Sequence, residues 1–416
     1  MNMANDLATR LLHDYPALPE QRAAAVALLR TQGLPDSGSE HWRHANLRPL
    51  AQVRAFHSAG ADSAVAAQAL PTVLDGYTRI VCINGQFSAA LSAPPAALEA
   101  AGLQIDARPA LPGRGEALRF ALLNALFAPQ RLTLRVRGSN ALEIVHLATA
   151  AASAGSSYPT LELHLTAGAQ LKLVERHLGS PGAQTLVSAA LNLQLERDAQ
   201  LEFDRLQQLG DDVLFLDQLQ AELDDNAALR VRNIATGGAS THLGAQIHLG
   251  GRNAELQWLG LAVAHDTQVH DALLRVEHAA PGTRTDQVFR ALAAGRGRVA
   301  CNGDMLVSAA ARGAQLTQSL RGLIDGAGAE IDLRPRLEIH TDDIKAAHGA
   351  TTGQLDENLL FYLLSRGVPR DTARALLKWA FLGDVLRAIR IPELRRAAET
   401  AAAGHLADVL ATGALS

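Results

Sequence analysis

Aromatic residues make up only 4% of this chain of 416 residues, although 48% of it is hydrophobic. The interior must be built from many small aliphatic side chains, which suits thin, regular, repeated layers better than one bulky core. No stretch reaches the roughly 18 uninterrupted apolar residues that a bilayer-spanning helix needs. The first residues, Met1 to Tyr15, carry Asp6, Arg10, His13 and Asp14 among their apolar positions and do not read as a secretory signal. Cysteine is nearly absent: Cys82 and Cys301 lie far apart and read as small buried hydrophobes in a reducing compartment. A cytoplasmic location is expected. Clustered positive charge is missing as well, with 38 basic against 42 acidic residues and a net charge of −4. Binding nucleic acid requires a concentrated basic surface, so that partner class is not expected.

Catalytic signatures are equally sparse. The phosphate-cradling G-x-x-x-x-G-K-[ST] loop and a G-x-G-x-x-G after a strand are both missing, and so are Cys-x-x-Cys, His-Glu-x-x-His and G-x-S-x-G. Such absences in a chain of this length point away from a self-sufficient enzyme.

At this length a single core stops growing, so several structural parts are expected. Residues 1–74 read as helical. A run opened by Ala17-Leu18-Pro19-Glu20 continues through Leu29 and is stopped by Gly33-Leu34-Pro35, and Trp42 then supplies an aromatic anchor. Residues 75–350 read as strands. Leu132–Val136, Leu161–Leu165, Leu191–Leu195 and Leu229–Val231 alternate apolar and polar side chains, with turn residues between them. Ala-x-Leu opens a strand at Ala169, Ala199, Ala227 and Ala254, in steps of about 30 residues, with a weaker echo at Ala329. Steps of this size, carrying more than one strand each, predict a β-solenoid over the competing antiparallel sandwich. Residues 351–416 read as helical. Asp356-Glu357 open a helix that Arg366-Gly367 close, Pro369-Arg370-Asp371 open a second that Gly383 is expected to break, and Ile391-Pro392-Glu393 open a third.

Two histidine groups invite a metal reading. His265, His270 and His278, with Asp266 and Asp271, could form an imidazole–carboxylate site for a metal-dependent enzyme, or simply decorate solvated strand faces. Glu338, His340 and Asp342 alternate and so would share one strand face, with His348 following; a structural turn is the plainer reading.

One segment is far more specific. Asp342-Asp343-Ile344-Lys345-Ala346-Ala347-His348-Gly349-Ala350-Thr351-Thr352-Gly353, followed by Phe361-Tyr362-Leu363-Leu364-Ser365-Arg366-Gly367, closely resembles the signature of the SufB/SufD family of the SUF iron–sulfur cluster assembly system. Ala373 to Phe381 continues the likeness. Glu40 to Leu47 and Val81 to Phe87 resemble elements of the family's SufD branch, Phe120 to Phe127 resembles its following helix, and Glu175, His177 and His270 fall where the family has similar polar residues. The resemblance implies a right-handed parallel β-helix flanked by N- and C-terminal helical parts. It implies a scaffold subunit that is not itself an enzyme, pairing with SufB through the β-helix and with the ATPase SufC through Phe361, Tyr362, Ser365, Arg366, Gly367, Ala373, Leu376, Leu377 and Phe381. No cofactor would be held stably; iron or a cluster would pass through transiently, and ATP would be bound only by SufC. The family's motif histidine is His348, implicated in cluster assembly at the SufB interface, while its cysteine two residues earlier is Ala346 here. The chain alone could instead form a homodimeric, purely structural β-helix, since exposed sheet edges invite pairing.

Overall fold

A computed structural model describes residues 3–15, 22–35, 42, 46–61, 67, 69–106, 115–149, 155–180 and 186–404. Its strands fall into two sheets. One contains β1 (Thr78–Ile83), β2 (Gln86–Phe87), β5 (Ser139–Ala148), β7 (Gln170–Gly179), β9 (Gln200–Gln208), β11 (Ala228–Ala235), β13 (Glu255–Ala264), β15 (Arg284–Ala294), β17 (Ala314–Asp325) and β19 (Ile344–Gly353). The other contains β3 (Leu103–Asp106), β4 (Arg131–Val136), β6 (Thr160–Leu165), β8 (Leu186–Leu195), β10 (Leu214–Leu223), β12 (Ser240–Leu249), β14 (Val269–His278), β16 (Arg298–Val307) and β18 (Glu330–Ile339). From β4 onward consecutive strands alternate between the sheets, and each pairs in parallel with the strand two places on, as Gln170 does with Gln200. This is a β-solenoid of about seven turns. Among the described strands only β2 and β3, at its N-terminal end, pair antiparallel. The parallel registers from β4 onward remove the sandwich alternative.

The turns explain the sequence period. Gly168, Asp198, Asn226, Asn253, Gly282 and Gly313 all have φ between 57° and 74°, the left-handed region that glycine enters freely and that Asn and Asp tolerate best among the rest. Each is followed by a small residue (Ala169, Ala199, Ala227, Ala254, Thr283, Ala314) that is fully buried. The side chains also stack from turn to turn: Asn253 Nδ2 donates to Asn226 Oδ1 at 3.1 Å, and Asn226 Nδ2 to Asp198 Oδ1 at 2.9 Å. The period therefore continues past Ala254 at Thr283 and Ala314. The echo at Ala329 belongs elsewhere, because it heads β18 in the second sheet, where Glu330 pairs with Arg298.

Between the sheets lies one long apolar core of Leu, Ala, Val and Ile with a few larger residues such as Phe203 and Trp258. Burying each Leu contributes about 1.5–3 kcal/mol, and sheets roughly 10 Å apart leave space for side chains of that size but few larger ones. The N-terminal helices Met3–Asp14 and Ala23–Gln32 join the Ala121–Phe127 helix in a second cluster over the outer face of the second sheet. Trp42 is wholly buried there, 4.4 Å from the His242 ring and edge-on to Phe120 at 5.0 Å. Most of its neighbours from Glu40 to Ala45, and the expected helix start at Ala17–Glu20, lie outside the described residues.

The C-terminal helices turn back along the outer face of the first sheet. Leu382, Val385, Leu386 and Leu394 pack there with Leu206, Ile234, Leu261 and Leu292. Asp356 caps the Glu357–Ser365 helix by accepting from the backbone N–H of Asn358 at 2.8 Å, and Gly367, at φ 83°, ends it as the sequence predicts. Gly383 does not break the next helix, which runs from Arg370 to Leu386. Within the helix a Cβ there would lie 2.4 Å from the guanidinium of Arg387, an exposed and flexible side chain, so the glycine is tolerated inside the helix rather than demanded by packing.

Candidate functional site

Among the described residues the C-terminal end of the solenoid is open: β18 has only β16 as a neighbour and β19 only β17, so the last turn presents unpaired backbone edges. In β19 every residue from Lys345 to Gly353 is exposed. His348 occupies a defined place in this turn. It stands in register with Gln318, which is in register with Gln287 and then with Trp258. Gln318 lies between the core residues Leu316 and Leu320, so this column faces the interior. This column is thus apolar through Trp258 and becomes polar at the last turns. Gln318 Nε2 donates to Gln287 Oε1 at 2.8 Å and to the Gly303 carbonyl at 3.1 Å. His348 is the exposed terminus of that polar column, and Ala346, two residues earlier, shares its face in register with Leu316.

The other expected ligands do not join His348. Glu338 alternates with Ile331, Leu333 and Leu337, which pack on the core, so it points outward; it accepts from His340 Nε2 at 3.1 Å. Asp342 is exposed beyond the strand. Nor do His265, His270 and His278 converge. His265 sits on a turn with its Nδ1 3.0 Å from Asp266 Oδ2, and His270 is buried inside the solenoid. The His278 ring is held between the hydroxyls of Thr283 and Thr285 at 2.9 and 3.0 Å, and burial lowers its pKa to about 4. Asp271 pairs with His242 at 2.6 Å. His270 and His278 face the interior at opposite ends of β14, Asp271 faces the other way and His265 sits on a turn, so the enzyme reading built on them loses its site.

Sequence reasoning missed a buried charged cluster. Glu175 and Arg205 lie on interior positions of neighbouring strands, where Arg205 Nε donates to Glu175 Oε2 at 2.8 Å and its terminal nitrogens grip Asp217 of the opposite sheet at 2.8 and 3.0 Å. The Glu175 carboxyl, which burial pushes up, is held well below the usual carboxylate range by Arg205 and the two neighbouring imidazoles, His146 and His177. Burial pulls the His146 imidazole down, but contacts with Cys82 and Glu175 outweigh it and bring its pKa to about 9. These polar residues sit on inward positions of β5, β7, β9 and β10, where they interrupt the alternation that marks strands in sequence. Among the described residues, His146, Glu175 and His177 are the one group of three or more side chains close enough to share a metal ion.

The C-terminal helices present the other feature. Phe361 is 72% exposed and Tyr362 55%, and Leu359 and Leu376 are largely exposed too. Ser365, Arg366 and Gly367 lie on the same surface turn, with the Arg366 guanidinium 5.3 Å over the Tyr362 ring. Ala373, by contrast, is fully buried, while Leu377 and Phe381 pack on the apolar cluster against the solenoid. Arg374 and Lys378 both pair with Asp325 of β17, and Arg290 of β15 pairs with Asp384 at 3.1 Å, fastening this helix to the last turns.

Among the described residues no helix is long and apolar enough to cross a membrane. Residues 147–381, more than half of the chain, match the family described as "SUF system FeS cluster assembly, SufBD core domain". The chain is 27% identical over 390 residues to the iron–sulfur cluster assembly protein SufD of Escherichia coli (strain K12), covering 91% of this chain and 90% of that protein. It is 32% identical over 208 residues to an iron–sulfur cluster assembly SufBD family protein of Mycobacterium bovis, covering 48% of this chain and 52% of that one. A Mycobacterium leprae protein of the same description is 31% identical over 194 residues, 45% of this chain and 50% of the other. With the matched region spanning β-strands and C-terminal helices alike, the chain belongs to the SufBD family of iron–sulfur cluster assembly proteins.

Proposed function

We propose that this chain is the SufD-type, non-ATPase scaffold of a cytoplasmic SUF complex, pairing with SufB through the open end of its solenoid and with SufC through its C-terminal helices. The observation that carries the reading is the uncapped last turn, where unpaired strand edges and the exposed His348 meet at the end of an interior polar column. A partner strand added at β18 or β19 would continue the ladders and cover His348. A neutral imidazole is a good ligand for ferrous iron, and with Ala346 beside it the thiolates of the site would come from the partner. Iron is cargo in this scheme and is held only in transit.

The exposed Phe361, Tyr362 and Leu376 supply an apolar anchor surface of the kind that interfaces bury at their centres. Because Asp325 and Arg290 tie the Arg370–Leu386 helix to β17 and β15, movement of a docked ATPase would be passed to the turns next to His348. The test is co-expression with SufB and SufC from the same genome, followed by size-exclusion chromatography with mass detection. One species containing all three chains is expected. Elution of this chain alone, while SufB and SufC pair without it, would overturn the reading, and a stable homodimer indifferent to both would favour the purely structural alternative.

A further inference from the structure

The solenoid interior holds a second group of ligand-type side chains, remote from His348 in the fold. His146 on β5 and His177 on β7 are register partners, and their rings stack at 4.8 Å with planes 23° apart. Both Nε2 atoms face a single carboxylate oxygen: Glu175 Oε1 is 3.2 Å from His146 Nε2 and 3.4 Å from His177 Nε2. His177 is 2% exposed; its Nδ1 has no hydrogen-bond partner, and its Nε2 reaches only the Glu175 oxygen that His146 shares. A buried ring nitrogen left unsatisfied is costly, so its retention calls for a reason.

We infer that His146, Glu175 and His177 form a buried site for one divalent first-row transition ion, Fe(II) or Zn(II). Geometry favours this over accidental crowding. Four ligands set tetrahedrally at about 2.0–2.1 Å from a metal lie about 3.3–3.4 Å from one another, and both contacts to Glu175 Oε1 fall beside that value. Two imidazoles and one carboxylate are a donor set suited to iron or zinc, and too rich in nitrogen for calcium or magnesium. The surroundings also resemble those of metal ligands. Arg205 holds the other carboxylate oxygen at 2.8 Å and is itself held by Asp217, and Phe215 lies 4.9 Å from the His177 ring, so the carboxylate and one imidazole are oriented from outside.

This inference does not rest on the scaffold reading, because it concerns the isolated chain. The full-length protein is unfolded and refolded anaerobically with excess Co(II) or Zn(II), passed over a chelating column, and its metal content measured against protein. About one equivalent is expected in the wild type and in His348→Ala, with at least a fivefold loss in His177→Gln judged folded by circular dichroism. Retention below about a tenth of an equivalent in the wild type, or undiminished retention in folded His177→Gln, overturns the assignment. If that variant does not fold, X-ray absorption on zinc-loaded His348→Ala decides: imidazole scattering in the metal's shell supports the site, and an oxygen-only shell refutes it.

Discussion

Glu143 offers the sharpest test of how the solenoid is held to its flanking segments. Its carboxylate is wholly buried on the outward face of β5, where it pairs with Arg79 Nη2 at 2.7 Å and Arg176 Nε at 3.1 Å. Those guanidiniums are 6% and 4% exposed, and no other acid pairs with either one among the described residues. Arg79 also donates to the carbonyls of Pro71 and Thr72 at 2.7 and 2.8 Å, tying the segment before β1 to the sheet. Replacing Glu143 by Gln keeps the shape but leaves two buried cations without a counter-charge. Removing one partner of a buried pair costs about 3–5 kcal/mol. Urea denaturation followed by far-ultraviolet circular dichroism should show a loss of that size for Glu143→Gln. The control is the same change at Glu255, whose pair with Arg284 at 3.2 Å is exposed on both sides, with side chains 42% and 59% accessible. There the loss should stay under about 1 kcal/mol. If Glu143→Gln costs no more than Glu255→Gln, the pair is solvated or replaceable and the reasoning fails.

Other outcomes follow from single residues. The His278 pKa of about 4 lies below its ordinary 6.5, so the folded state binds fewer protons than the unfolded one between these values; stability should fall as pH drops through that window, by up to about 3 kcal/mol, and His278→Gln should flatten the dependence. At Gly251 an added Cβ would lie 2.0 Å from the Asp224 backbone carbon, so Gly251→Ala should lower the unfolding free energy by about 1–3 kcal/mol, whereas at Gly349 nothing lies within 4 Å and Gly349→Ala should be near neutral in the isolated chain. Phe361→Asp should leave the melting temperature unchanged and remove SufC from the co-purified complex; retention of SufC would move the docking surface elsewhere. His348→Ala should preserve folding and SufB pairing while lowering the yield of assembled cluster in a reconstitution assay, and an unchanged yield would remove this imidazole from the reaction.

Local chemistry made much of the molecule readable in advance. The repeat at Ala169, Ala199, Ala227 and Ala254 is visible because each turn needs a left-handed residue followed by a small buried one, and few residue types meet both demands. Helix ends at Asp356 and Gly367 follow the same logic, since a cap is satisfied within a few residues. The run from Asp342 to Gly367 marks the family because its residues are contiguous. What no local pattern carries is which side chains meet after the chain has turned once around the solenoid. Glu175 meets Arg205 some 30 residues later, Arg205 meets Asp217 from the facing sheet, and His146 meets His177 one turn on. In sequence these residues only blur the strand alternation; stacking the turns makes them a buried network. The same stacking leaves Gly383 inside a helix, sends Glu338 and His348 to opposite faces, and keeps Ala373 in the core while Phe361 faces solvent. Side-chain direction along one element was set by its period, but what each direction pointed at was decided only when the sheets and helices closed around a common core.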